Sequence, residues 1–214
     1  MNSSVMNRSL DATPEGAEGS ARRAAAGALM TGGVLWVAAA LIGGEDGTPR
    51  FYAAEVVWLV AQVALLAGTV LLWQARPHGQ RRLGDAGFAL ATTGRVGFVA
   101  AEAVALASGE TAEELLPVAA LLTAVGMVLA GVAVVRERRW TMWARFAPLA
   151  VGVFPFLAMF PFAASDADGP PVVSMVVWGL VFVALGVAAR EQGGRIARAR
   201  SSRDRRPDED EGRP

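Results

Sequence analysis

Six apolar stretches, each long enough to cross a bilayer, divide this chain of 214 residues. A helix rises about 1.5 Å per residue, so roughly 20 apolar residues cover a hydrocarbon core about 30 Å thick. The stretches fall at 27–44, 53–73, 84–107, 115–135, 144–163 and 172–189. They are apolar on every side, whereas barrel strands alternate and keep a polar inner face, so helices are expected. Short connections leave no room for a separate soluble domain. The expected fold is all-α, a polytopic transmembrane bundle of six helices over 26–190, with disordered tails at 1–25 and 191–214. The tails read as disordered because their Ser, Gly, Arg and acid-rich composition cannot bury a core.

Charge places the loops. There is no Lys, and the Arg residues gather before the first span and after the second, fourth and sixth, including Arg22, Arg76, Arg136 and Arg190. The opposite loops hold Arg50 among Glu45, Asp46, Glu110, Glu113, Asp166 and Asp168. The positive-inside rule then predicts a plasma-membrane protein with both termini cytoplasmic. Trp73, Trp140 and Trp143 sit at the expected inner boundary and Tyr52 at the outer one, while Trp36, Trp58 and Trp178 lie deeper. A cleaved signal peptide is the competing reading of Arg22 and Arg23 with the apolar run from Ala24. The long lead-in and the lack of a small-residue cleavage site after Gly44 favour a retained span.

An internal duplication is visible. Thr31-Gly32-Gly33 and the residues to Ala40 align with Thr93-Gly94-Arg95 and the residues to Glu102, and Leu66-Ala67-Gly68 aligns with Leu129-Ala130-Gly131. The chain reads as three tandem helical hairpins of one orientation, against a background in which Ala, Gly and Val recur by chance. On this alignment Arg95 and Glu102 replace Gly33 and Ala40, so the polar residues are additions to an apolar template.

Those additions define the candidate site. An ionised Arg at mid-membrane costs roughly 2.5 to 3.5 kcal/mol on insertion scales, so Arg95 needs compensation. Glu102 is seven residues on, on the same helix face and about 10.5 Å further outward. Glu55, Gln62 and Thr69 form a matching row on the second span. Folding spans two and three about His78 and Gly79 sets Gln62 level with Arg95 and Glu55 level with Glu102, with Thr92 one turn inward. The plainer reading is a buried ion pair that fixes helix register; the sharper one is a proton or ion pathway. One Arg serves only one of two acids well, which leaves the other carboxyl to hold a proton.

The fifth span carries Pro148, Pro155 and Pro161, and a bend is expected near Pro155, where the missing N–H interrupts the helix. Gly94, Gly97 and Ala101 in span three and Gly126, Ala130 and Gly131 in span four suit close helix packing. Cys is absent and His78 is the one His, set in an Arg-rich loop and expected to be solvated. That composition argues against thiolate metal sites, a bis-His haem and a Ser-His protease. No Lys is present for a phosphate-binding loop of the Walker type, and no Gly-x-Ser-x-Gly elbow occurs.

Val57-Trp58-Leu59-Val60-Ala61, Leu83-Gly84-Asp85-Ala86-Gly87-Phe88 and Gly131-Val132-Ala133-Val134-Val135-Arg136 resemble segments of small six-span bacterial, often actinobacterial, membrane proteins with no assigned activity. The resemblance covers about 25–190, implies the same architecture and brings no reaction. Many of those proteins carry His where Gln62 stands here. The expectation is therefore a non-enzymatic protein acting by interaction, regulation or membrane organisation. Its partners are the lipid bilayer and a membrane or cytoplasmic protein or a second copy, with no nucleic acid and no cofactor. The alternative is a small transporter or proton-linked permease using Glu55, Gln62, Arg95 and Glu102.

Overall fold

Lipid offers backbone amides no partner, so a spanning segment closes its hydrogen bonds within itself. The computed structural model, which describes residues 14–79, 82–163 and 171–204, accordingly shows helices and, among the described residues, no strand. They are α1 (Pro14–Ile42), α2 (Pro49–Gln74), α3 (Arg82–Ser108), α4 (Leu115–Glu137), a 3-10 turn (Ala144–Phe146), α5 (Ala147–Ala158), α6 (Phe160–Ala163) and α7 (Val172–Asp204). Six helices, counting the 3-10 turn, α5 and α6 as one span, are long and apolar enough to cross a membrane. The chain is a multi-pass membrane protein.

Local sequence sets the boundaries. Thr48 caps α2 by accepting the Phe51 N–H on its hydroxyl at 3.2 Å, and Pro49 occupies the first turn, where its missing N–H is harmless. At the same end of the α2–α3 pair, Gly109 adopts φ +77° and returns its N–H to the Ala105 carbonyl at 2.8 Å, which closes α3. Half-exposed Val56, Val60 and Val63 on α2 and Val118 and Leu121 on α4 face outward, as lipid contact requires.

Each span packs against its neighbours in chain order, and α7 closes the ring by lying along α1. The face on which α1 begins and α7 ends is called here the terminal face, and the opposite one the far face. Glycines make the closest approaches. Gly32 and Gly68 bring α1 and α2 together against Leu65 and Leu29. Gly33 lies on the Gly179 carbonyl between α1 and α7, and Gly87 and Gly126 interlock α3 with α4. Gly131 and Gly152 do the same for α4 and α5.

The hairpin pattern holds in part of this packing. Gly32 and Gly94, superimposed by the sequence alignment, each face the partner helix of their own hairpin, α2 and α4 respectively. Gly68 and Gly131 diverge, the first meeting Leu29 of its own hairpin and the second Leu149 of α5.

Two expectations change. Residues 14–25 and 191–204, expected as disordered tail, belong to α1 and α7. Their Ala, Arg and Glu content favours helix, and a helix already running through the membrane continues without a new nucleation cost. The outer parts of both tails, 1–13 and 205–214, lie outside the described residues. In the fifth span, α5 runs through Pro155 to Ala158 and breaks at Met159, whose backbone turns to φ −123° and ψ −53°. The break therefore sits one turn past the expected position. Pro161 stands second in the new turn, where it needs no donor, while within the older helix it would have clashed with Leu157.

Candidate functional site

The α2–α3 contact carries polar side chains where the α1–α2, α1–α7, α3–α4 and α4–α5 seams carry glycine. Gln62 and Arg95 are both fully buried, and Arg95 Nη1 donates to Gln62 Oε1 at 3.0 Å. Glu55 and Glu102 stand seven residues further toward the far face on their helices, and both are buried, Glu55 with its Oε2 unpartnered. Gln62 lies beside Glu102, yet its Nε2 makes no well-formed hydrogen bond. Thr69 turns its hydroxyl back onto the Leu65 carbonyl at 2.7 Å, a common resting place for a helical Thr. Thr92 is within the bundle with a buried hydroxyl that has no partner.

Arg95 does not form the ion pair with Glu102 that the sequence suggested. Arg95 Nε and Nη2 have no hydrogen-bond partner. The guanidinium instead sits among four aromatic rings, with its central carbon 4.3 Å from the Phe182 centroid, 5.4 Å from Phe98, 5.5 Å from Trp178 and 5.9 Å from Trp36. Ring faces carry negative potential, and each desolvated contact contributes on the order of 1 to 2 kcal/mol. Together they hold the cation level with Gln62, on a residue whose Cα lies about 10.5 Å of helix rise inward of that of Glu102. The box is itself fixed: Trp36 Nε1 donates to the Met175 carbonyl at 3.0 Å, and Trp178 Nε1 to the Val151 carbonyl at 3.2 Å.

Sequence reading placed Trp36 and Trp178 deep but not around Arg95. Only the contact of α1 with α7 brings residues so far apart in the chain to one place. The usable signal was the alignment of Trp36 with Phe98, which puts an aromatic one turn beyond Gly33 and Arg95 alike.

On the terminal face, His78 is buried rather than solvated. Its Nε2 meets Asp85 Oδ1 at 3.0 Å, its ring lies on Phe88 at 5.3 Å between centroids, and Gly84 leaves the space it fills. Trp73 Nε1 donates to the same Asp85 oxygen at 2.9 Å. This cluster fastens the loop between α2 and α3. A hollow of about 580 Å³ on the far face, bordered by Ile42, Glu45, Thr48, Arg50 and Val172, includes none of the seam residues. Among the described residues, no three His, Asp or Glu gather as metal ligands.

No family model, curated protein or solved structure matches the chain.

Proposed function

We propose that this chain is a non-enzymatic protein of the plasma membrane, with both termini in the cytoplasm, that works as an interaction or regulatory platform. The observation that carries this reading is the lacing of the terminal face. Arg22 of α1 donates to the Ala75 carbonyl at 3.3 Å in the loop after α2. Gln192 of α7 donates to Thr141 at 2.7 Å in the loop after α4. Gly79 of the first loop lies against the Glu137 carboxylate at the end of α4. The extended ends of α1 and α7 thus join both loops of that face into one surface, rich in Arg and suited to anionic headgroups or an acidic protein partner.

Orientation follows from the Arg asymmetry and is directly measurable, because the chain has no Cys. A single Cys in place of Arg50 should react with an impermeant maleimide added outside cells, and one in place of Arg139 should not. For the platform itself, a photoreactive residue at Arg190 should give a discrete crosslinked species in native membranes. Truncation after Gly194 should abolish it. Reconstituted liposomes should show background solute and proton flux; flux that Arg95→Met removes would replace this reading with a proton-linked permease, for which the unpartnered nitrogens of Arg95 and Gln62 speak.

A further inference from the structure

The geometry points to the far-face hollow as a site for a phospholipid whose headgroup carries both a phosphate and a primary ammonium, a property beyond the platform reading. The hollow, of about 580 Å³, stands where the end of α1, the loop to α2 and the start of α7 meet. Its volume falls in the range of roughly 300 to 1,000 Å³ that small-ligand sites occupy. It is open, and its wall has two parts. Leu41 and Ile42 in the last turn of α1 and Val172 in the first turn of α7 are apolar, and Leu41 and Val172 are 62% and 53% exposed. Glu45 in the loop and Arg50 in the first turn of α2 are exposed and charged. Apolar ends of two spans beside a small charged group match the order of a lipid's own chains and headgroup at the rim of a bilayer.

The charges select the headgroup. Among the described residues, Glu45 and Arg50 make no ion pair with each other and neither side chain has a hydrogen-bond partner. Thr48, also on the wall, is already engaged: its hydroxyl donates to the Glu45 carbonyl at 2.7 Å and accepts the Phe51 N–H at 3.2 Å. The neighbouring acid, Asp46, is held by the α3–α4 loop, accepting the Thr111 N–H at 3.3 Å and its hydroxyl at 3.1 Å. One guanidinium and one carboxylate are therefore left to a ligand, on a loop whose backbone is fixed in advance, which lowers the ordering cost of binding.

A guanidinium only donates and suits phosphate oxygens; a carboxylate only accepts and suits the N–H groups of an ammonium. A headgroup with both satisfies both. A choline headgroup presents methyl groups to Glu45 in place of N–H donors, and an anionic headgroup without an amine brings it a like charge. The exposed Leu41 and Val172 add contact with the first carbons of the acyl chains, which a soluble amine phosphate lacks.

Native mass spectrometry of the full chain, delipidated in detergent, tests this with phosphatidylethanolamine, phosphatidylcholine and phosphatidylglycerol of identical acyl chains. Phosphatidylethanolamine should be retained about tenfold more tightly than the other two, the worth of roughly one hydrogen bond to a charged group. Glu45→Ala should level phosphatidylethanolamine with phosphatidylcholine, and Arg50→Ala should weaken all three lipids by about tenfold. Both side chains are exposed and bond to nothing, so the two variants should melt with the wild type. Glu110→Ala removes an exposed acid of the same face outside the hollow and should leave the preference unchanged. Soluble O-phosphoethanolamine at the lipid concentration should not displace the lipid. Equal retention of phosphatidylethanolamine and phosphatidylcholine by the wild type, or a preference that survives Glu45→Ala, would overturn the proposal. So would a preference that Glu110→Ala removes as fully, or displacement by O-phosphoethanolamine, which would make the ligand a soluble zwitterion.

Discussion

The α3–α4 and α2–α3 seams share a helix and are built by opposite means. Between α3 and α4, Gly87 and Gly126 interlock so closely that either one's missing Cβ is the other helix's backbone, and Gly94 does the same against Thr123 and Ala119. Between α2 and α3 no glycine makes such an approach among the described residues, and the gap is filled by Gln62, Arg95, Glu55 and Glu102. Lipid tails are as apolar as Leu, so helix association in a bilayer rests on close packing and on polar contacts. The glycine seam uses the first and gains stability from it. The polar seam keeps an Arg among aromatic rings with two nitrogens unpartnered, an arrangement that stability alone does not select.

That contrast makes its sharpest demand on Arg95. Replacing a whole buried ion pair by apolar side chains of similar volume is often neutral or stabilising by about 1 to 4 kcal/mol, whereas removing one partner of such a pair costs about 3 to 5 kcal/mol. Arg95 does not pair with Glu102, and Arg95→Met trades the desolvation cost of the charge against its ring contacts and its bond to Gln62, so thermal unfolding in detergent should stay within about 1 kcal/mol of wild type, well short of that cost. A loss of that size would make the polar seam a structural lock and erase the difference between the two seams.

Gly126→Ala probes the other side. The added Cβ runs into the Ala91 backbone, which no rotamer change relieves, and overpacking of this kind costs about 1 to 3 kcal/mol. The same change at Gly27 of α1, where nothing lies within 4 Å, should not lower stability and adds up to about 1 kcal/mol of helix propensity. Equal melting temperatures for the two variants would show that glycine contact is not what holds α3 to α4.

How much of this was legible in the chain depends on the range of the interaction. The six spans follow from hydropathy, a local property, and the polar row follows from residues seven apart on two helices joined by a short loop. Those signals need only one helix or one hairpin. The aromatic box needs α7 to lie along α1, a closure that no spacing in the sequence encodes, and Trp178 is 142 positions from Trp36. His78 looked solvated because its loop is Arg-rich; its burial depends on the absence of a side chain at Gly84 and on Asp85 one turn into α3. The fifth span shows rival prolines: Pro155 stands further inside the helix, yet the break is placed where Pro161 can start a new turn.

The smallest effects sharpen the comparison most, because one kind of substitution is predicted to act with opposite sign in the two seams. Thr123 in the glycine seam has a buried hydroxyl with no hydrogen-bond partner, so Thr123→Val removes an unmet polar group at nearly constant volume. It should raise stability by up to about 1 kcal/mol. Gln62→Leu also exchanges a buried polar side chain for an apolar one, but it strands Arg95 Nη1, whose acceptor at 3.0 Å is the Gln62 carbonyl oxygen. It should lower stability by about 1 kcal/mol, and by less in an Arg95→Met background, where no donor is left to strand. A double-mutant cycle over Gln62 and Arg95 measures that coupling directly. If Thr123→Val and Gln62→Leu shift the melting temperature in the same direction, the two seams follow one rule of packing. The separation of close contact from charge-bearing site in this bundle then fails.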